Sequence, residues 1–508
     1  MVFLTFGIRE LTLALVFVGV FIAIRRWRYA RRSKGLPMPP GPPGKLLVGS
    51  IMEISQYEAP RALARYGEKY GDLVMFKGLG NHALVLNSLQ AMNDLLDKRG
   101  NNNSHRPISI YGGELLGLNE SVVFLPYGEE WRAQRKLAHM ALSSTAIKQY
   151  CSMQEDIAAI LAKDLLDSPD DFFASVRMSA GRVVIAVTYG IPSGEIQTEC
   201  INLGERALEI GSKAVAPGNY LCDLLPFLKH APSWVSFQRE ARESKKVMFS
   251  HKMQPYEYVK REVAAGSALP SLMRDLMTNP PKGETVPETR LQWLGSSMFG
   301  AGSETTYATI LTLIMAMALF PEKQKFAQAE IDRVLGFERL PTIQDRERLP
   351  YVDAVVKEAM RWQPAVHMGV PRRSAEDDVY DGYFIPKGTI FIPNVWAIAY
   401  APNARYDPEA FIPERYLDPK EDTVDPSLWA FGFGRRICPG RFLAENSIFI
   451  FAATILAAFN ISPPADGQLE KEFTQQLVRS PKPFQCQITP RSAAKAKLVE
   501  ARAAASVV

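Results

Sequence analysis

The chain is 508 residues long, 47% hydrophobic and 22% charged, with a formal net charge of +5. These are the proportions of a folded globular protein, and they exclude a disordered chain, a collagen-like repeat and a polytopic membrane protein. The basic excess is too small for a nucleic-acid binder and is concentrated between Arg25 and Lys34, while Cys151, Cys200, Cys222, Cys438 and Cys486, none in a CxxC pair, exclude a disulfide framework and a zinc module.

The first element is apolar. Val2 to Ile24 is interrupted only by Thr5, Arg9, Glu10 and Thr12. Its unbroken part, Leu11 to Ile24, has a length that fits a signal-peptide core or a short anchor. The flanks favour the anchor. Arg25, Arg26, Arg28, Arg31, Arg32 and Lys34 follow the apolar core, whereas a signal peptide carries its charge before it. Positive charge marks the cytoplasmic side. Residues 1–24 are therefore expected to be a transmembrane signal-anchor with a lumenal N-terminus and a cytosolic body. Extended back to Leu4, the stretch reaches about 21 residues, roughly 30 Å of helix.

Residues 25–44 read as a basic and proline-rich linker. Pro37, Pro39, Pro40, Pro42 and Pro43 cannot continue a helix and favour a stiff extended segment, which also has the composition of a ligand for a small binding domain. Residues 45–491 read as one body, mostly helix with small sheets. Asp72 to Leu86 predicts two short strands around a glycine turn. Leu291 to Phe320 predicts one long apolar helix stopped by Pro321, and Pro350 to Trp362 a helix opened by proline. Tyr380 to Pro393 predicts a strand pair and Arg441 to Phe459 an apolar helix. The tail, residues 492–508, is rich in Ala and Lys and reads as frayed. Three glycosylation sequons, beginning at Asn102, Asn119 and Asn460, read as chance matches in a cytosolic body.

Chemistry concentrates at Phe431-Gly432-Phe433-Gly434-Arg435-Arg436-Ile437-Cys438-Pro439-Gly440. A cysteine at the end of a glycine-rich loop, just before a helix, meets unpaired N–H groups and positive partial charge. These predict a lowered thiol pKa, with Gly434 and Gly440 allowing close backbone approach to the sulfur. Such a thiolate fits a nucleophile, a redox thiol or a metal ligand. Glu358 and Arg361 stand at i and i+3 on a predicted helix, with Arg415 further on in Pro413-Glu414-Arg415-Tyr416. Ala301-Gly302-Ser303-Glu304-Thr305-Thr306 interrupts the long apolar helix with groups that need partners there. Thr305 is expected to bond back to the Ala301 carbonyl. Trp131 and Arg135 share a helical face and make a carboxylate-binding pair.

The spacing of Phe431, Gly434, Arg436, Cys438 and Gly440 resembles the haem-ligand loop of the cytochrome P-450 family, and the Glu358/Arg361/Arg415 set and the Glu304-Thr305 pair resemble two further family motifs. The resemblance runs from about residue 35 to 490 and implies a mainly α fold with small β-sheets. In that fold a triangular helical body holds haem between the long oxygen helix and the cysteine-loop helix. It implies Cys438 as the ligand of iron in haem b (iron protoporphyrin IX), whose electron donation favours O–O cleavage. Arg436, Trp131, Arg135 and Arg372 would hold haem propionates, with Phe431 opening the ligand loop. Glu358, Arg361 and Arg415 would form a structural triad. Thr305 would hydrogen-bond dioxygen and Glu304 would feed protons through water.

The implied activity is monooxygenation: one atom of O2 inserted into a C–H bond or alkene of a hydrophobic small molecule. The ending Pro483-Phe484-Gln485-Cys486 resembles fungal members of secondary metabolism, so a terpenoid is the first expectation. An aromatic or indole metabolite and a fatty acid follow. The chain shows no Walker or Rossmann fingerprint, so electrons are expected from an NADPH-dependent flavin reductase on the same membrane, that of the endoplasmic reticulum. A haem-thiolate isomerase or dehydratase that does not use O2 is disfavoured by Thr305, and a haem carrier or sensor by the lack of a second domain. Pocket walls are expected from Ile108 to Leu118, Phe299, Ala301, Ala365 to Val370, Leu477 and Val478, with Glu114 and His367 as their titratable groups.

Overall fold

The structure is a computed structural model, and it describes residues 16–17, 20, 23–24, 27–45, 49–54, 58–78, 80–216, 218–281, 285–421, 423–465 and 467–506. Most of the predicted anchor, residues 1–24, lies outside the described residues. The described residues there, Val16, Phe17, Val20, Ile24 and then Trp27, are helical and expose large apolar side chains.

The body is helical around one long axis. Helix Glu288–Leu319 follows Pro287 in extended conformation and stops before Pro321, where the chain bends by 106° into helix Pro321–Leu335. A helix apolar on all sides belongs in a core. Its C-terminal half supplies Ile310, Leu311, Leu313 and Ile314, which pack with Phe449, Phe451 and Ile455 of helix Arg441–Ala458 and Ile157 and Leu161 of helix Cys151–Asp167. Among the described residues one unbroken helix, Arg441–Ala458, is long and apolar enough to cross a membrane, and 72% of it is buried in the body. Helices Phe172–Tyr189, Glu195–Val215 and Ser236–Ala265 cover the first half of the long helix. Two glycines let the neighbours approach it. A Cβ on Gly302 would sit 2.9 Å from Val184, and one on Gly204 would overlap the Phe299 ring.

The sheets are small. β1 (Leu73–Gly78) and β2 (Asn81–Leu86) are the predicted antiparallel pair. The predicted pair over Tyr380 to Pro393 divides differently. β3 (Arg372–Arg373) precedes it, and β4 (Asp378–Tyr380) and β5 (Tyr383–Ile385) form the hairpin. Asp381 and Gly382, both with positive φ, make the two-residue turn that suits twisted strands. β6 (Ile390–Pro393) leaves the hairpin to run parallel to β2, giving the order β1-β2-β6-β3. β7 (Phe459–Ser462) and β8 (Gln487–Pro490) pair antiparallel.

Two segments differ from expectation. The tail is a helix, Ala493–Ala504, capped by the Ser492 hydroxyl on the Lys495 amide and tied by Arg502 to Asp156 at 2.6 Å. It packs on helix Cys151–Asp167 and buries Lys495 and Val499, so it is docked rather than frayed. The proline track is extended as predicted, but it lies on the body. Phe384 N–H donates to the Pro37 carbonyl at 2.7 Å and Met75 N–H to the Pro40 carbonyl at 2.8 Å. Gly41 is required there, because a Cβ would fall 2.0 Å from the Met75 carbonyl oxygen. Arg32 forms a two-pronged ion pair with Asp377, so the basic segment is also held to the β4–β5 side.

Candidate functional site

An internal cavity of about 420 Å³ lies beside the first half of the long helix. Cys438, Phe431, Arg436, Trp131, Arg135, Arg372, Glu304 and Thr305 all line it, although they come from four separate parts of the chain.

The cysteine loop is built by its own backbone and by arginines from elsewhere. Cys438 N–H donates to the Phe431 carbonyl at 2.8 Å, closing the loop around a 3₁₀ turn at Gly434–Arg436. Gly434 has φ +49, and a Cβ there would meet Asp97 Oδ1 at 2.5 Å and the Leu96 carbonyl oxygen at 2.8 Å. Its glycine therefore serves packing against Asp97 and not approach to the sulfur. Gly440 is the residue beside the sulfur: its Cβ position is 4.0 Å from Cys438 Sγ. Arg135 donates to the Ile437 carbonyl and Arg372 to the Phe433 carbonyl, so both clamp the loop.

The expected low thiol pKa is not found. Burial pushes the Cys438 thiol up, and the Gly440 amide, Arg135 and Arg441 pull it back without reversing the direction. The helix end alone does not make a thiolate in this dry setting. A bound metal cation deprotonates a coordinating thiol outright, so the residues fit a ligand whose charge the protein leaves to the metal.

The arginines make the second test of fit. Arg106, Arg135, Arg372 and Arg436 all line the cavity, and among the described residues no carboxylate forms an ion pair with any of them. Arg436 donates to the Ser104 carbonyl at 2.9 Å and to the Val122 and Leu125 carbonyls, and its guanidinium lies 4.6 Å from the Trp131 ring centroid. Burial, then repulsion from Arg372 and Arg135, pushes Arg436 down to about 9. Burial pushes Arg372 down to about 10, and Arg106 falls well below its ordinary value through burial and repulsion from Arg436 and Arg372. Buried like charges without counter-charge are costly. A dianionic group entering this cavity would supply the missing charge, which is what the two propionates of a haem carry.

On the long helix Thr305 Oγ1 donates to the Ala301 carbonyl at 3.0 Å, as expected. Glu304 reaches Arg177 at 3.5 Å, and Arg177 also pairs with the half-exposed Glu205 at 2.9 Å. Burial raises the Glu304 carboxyl, Arg177 lowers it, and the outcome is a raised value. The triad is complete. Arg361 holds Glu358 in a fork, with Nε to Oε2 at 2.7 Å and Nη2 to Oε1 at 2.8 Å, and Arg415 Nε sits 3.2 Å from Oε2. The remaining Arg361 donors go to the Ala399, Pro408 and Ala410 carbonyls, and the Ile412 amide donates to Glu358. It binds the loop before Arg415 to the helix Pro350–Trp362 and lies away from the cavity lining.

The predicted walls need correction. Leu118, Ala301, Ala365, Val366, Gly369, Val370, Leu477 and Val478 line the cavity. Ile108 is exposed, and Glu114 pairs with Lys229 at 2.8 Å. Phe299 turns onto Gly204 instead. His367 is buried outside the lining with Nδ1 unpartnered, and burial pushes it down to about 3. The sequence reading missed Arg106 and His251, both on the cavity. Arg106 precedes Pro107, which favours the extended backbone seen there, but that signal does not mark a binding arginine.

A thiol, an acid–alcohol pair on a buried helix and four arginines without a paired carboxylate among the described residues thus meet on one cavity. The cytochrome P450 family model matches residues 39–488, and the chain belongs to the cytochrome P450 family. It is similar to the cytochrome P450 monooxygenase COX2 of Coprinopsis cinerea, 38% identical over 92% of this chain and 91% of the relative. It is also similar to the cytochrome P450 monooxygenase claR of Ampulloclitocybe clavipes, at 36% identity over 96% and 92%, and to cytochrome P450 monooxygenase 208 of Postia placenta, at 35% over 96% of each chain. The chain is thus a haem-thiolate monooxygenase, an enzyme class that needs O2 and a redox partner.

Proposed function

We propose that this enzyme hydroxylates or epoxidises a hydrophobic small molecule, a terpenoid of secondary metabolism first, with Cys438 as the iron ligand of haem b. The observation that carries the assignment is the shared cavity: Cys438, Thr305, Glu304 and four unpaired arginines meet on it. Arg436, Arg372, Arg135 and Arg106 hold the propionates, with Trp131 beneath Arg436. When bound, the haem supplies oxygen activation, and the protein supplies position, charge and protons.

Thr305 Oγ1 holds a proton at the cavity wall, and can give up its bond to Ala301 to donate into the cavity. Glu304, raised by burial and adjacent in sequence, is the group that resupplies it. Arg177 and Glu205 link Glu304 toward solvent. The walls exclude water: Val183, Val184, Val187, Leu208, Val366 and Leu477 are apolar. That lining supports a hydrophobic substrate.

Electrons come from a separate NADPH-dependent flavin reductase. Residues 1–24 anchor the chain as a single pass in the endoplasmic reticulum membrane, with residues 45–491 in the cytosol. The exposed apolar side chains of Val16, Phe17, Val20 and Ile24 and the basic cluster after them support this topology.

The test is Cys438→Ala and Cys438→His with reductase, NADPH and a panel of terpenes, read by mass spectrometry for a gain of one oxygen. Wild type is expected to give oxygenated product and, reduced with carbon monoxide, a thiolate-type Soret band. Both variants are expected to lose both. A variant that keeps the band and full turnover removes Cys438 as ligand.

A further inference from the structure

The cavity contains a polar patch that haem binding and proton delivery do not use. His251, on helix Ser236–Ala265, is buried yet lines the cavity. Its ring donates to the Ser296 backbone carbonyl, and Ser296 and Ser297 of the long helix line the same space. Ser297 donates its hydroxyl proton to the Trp293 carbonyl at 2.6 Å, so its oxygen keeps lone pairs for another donor. The imidazole ring packs 5.3 Å from Phe299. Pro255 has no amide hydrogen, so it cannot donate to the His251 carbonyl four residues earlier.

The charge state of this patch is defined. Burial pushes His251 down to about 4, with the Ser296 backbone pulling the other way. A neutral imidazole offers one donor and one acceptor. That donor is on the Ser296 carbonyl, so the imidazole keeps an acceptor nitrogen, and the Ser297 oxygen is a second acceptor. The patch therefore suits a hydroxyl group that donates. An acceptor facing an otherwise apolar pocket is best matched by a hydroxyl group that the substrate brings.

We propose that His251, with Ser296 and Ser297, is a polar anchor for the substrate, which reaches this enzyme already carrying a hydroxyl group. This rests on the hydrophobic-substrate reading above and narrows it. Ser297 and Thr305 are roughly 12 Å apart along the helix. The anchored oxygen and the oxidised carbon therefore lie at opposite ends of a skeleton of terpenoid length. A preceding reaction must install that first oxygen, either an oxygenation or a carbocation capture by water.

The test uses the haem-loaded protein and two matched probe pairs, cedrane with cedrol and dodecane with dodecan-1-ol. Calorimetric titration gives a dissociation constant for each. Wild type is expected to bind each alcohol about tenfold more tightly than its hydrocarbon, the worth of one net hydrogen bond. His251→Phe is expected to abolish that preference while leaving hydrocarbon affinity within about twofold, and His251→Gln to retain most of it. Ser296→Ala, a smaller change, is expected to lower the preference without loss of haem, which guards against misfolding of the His251 variants. A wild type without preference for the alcohols, or a His251→Phe variant that keeps it, overturns the anchor. Binding of the hydrocarbons alone leaves the hydrophobic-substrate reading standing and removes only the anchor. Failure of all four probes to bind wild type counts against both.

Discussion

The molecule buries two sets of charged side chains and treats them in opposite ways. Glu358, Arg361 and Arg415 are almost fully buried, with one carboxylate shared by the two guanidinium groups and the remaining donors placed on carbonyls. Arg106, Arg372 and Arg436, buried, and Arg135, half-buried, meet at one cavity with the same sign, and no carboxylate among the described residues pairs with them. The first set is finished in the polypeptide. The second is finished only by an anion, and its lowered pKa values record the unmet cost. A buried triad that contains its own counter-charge reads as scaffold, whereas a cluster of one sign facing space reads as a binding site.

Breaking the triad should have the largest effect. Glu358→Gln leaves two buried guanidinium groups without their counter-charge, and losing one partner of a buried pair costs about 3–5 kcal/mol. The expected result is little folded protein with or without haem, measured by thermal melting. A variant that folds normally would show that the carbonyl contacts of Arg361 suffice.

The cavity arginines should behave differently. Arg436→Gln removes a repelled cation and keeps an amide donor for the carbonyls of Ser104, Val122 and Leu125. The haem-free protein is expected to change by no more than about 1 kcal/mol. Haem retention, read from its rate of transfer to apomyoglobin, should weaken about 10- to 100-fold, the worth of one charged hydrogen bond. Equal losses in fold and haem retention would erase the contrast between the two sets.

Glu304 stands between these extremes, partly matched by Arg177. Its carboxyl is raised mainly by burial, so the folded state binds that proton more tightly than the unfolded chain does. The resulting stability is complete at pH below the ordinary carboxylate range and falls as pH rises through the raised value. Glu304→Gln should flatten that part of the melting-temperature profile in haem-free protein. An unchanged profile would mean that Arg177 already cancels the cost of burial.

The eight candidate site residues stood out in the sequence because each belongs to a short pattern, and all eight line the cavity. What escaped depends on distant packing. Arg106 and His251 sit in segments without such patterns, and only the meeting of a loop with two helices puts them on the cavity. The thiol pKa was misread for a related reason. The helix end is local, but desolvation of Cys438 is set by the whole fold. The tail was read as frayed from its composition, although the Ser492 cap was visible in the sequence. Its buried face is defined by helix Cys151–Asp167, which no tail pattern reveals.

The proline track has a mechanical consequence. Its carbonyls at Pro37 and Pro40 are pinned to β5 and β1, and Arg32 is pinned to Asp377. A chain fastened at three points transmits torque, so under the proposed anchoring this segment is a lever and not a leash. Tilting the helix that precedes the prolines would tilt the whole body with it, and the direction in which the cavity mouth faces would be inherited from that helix.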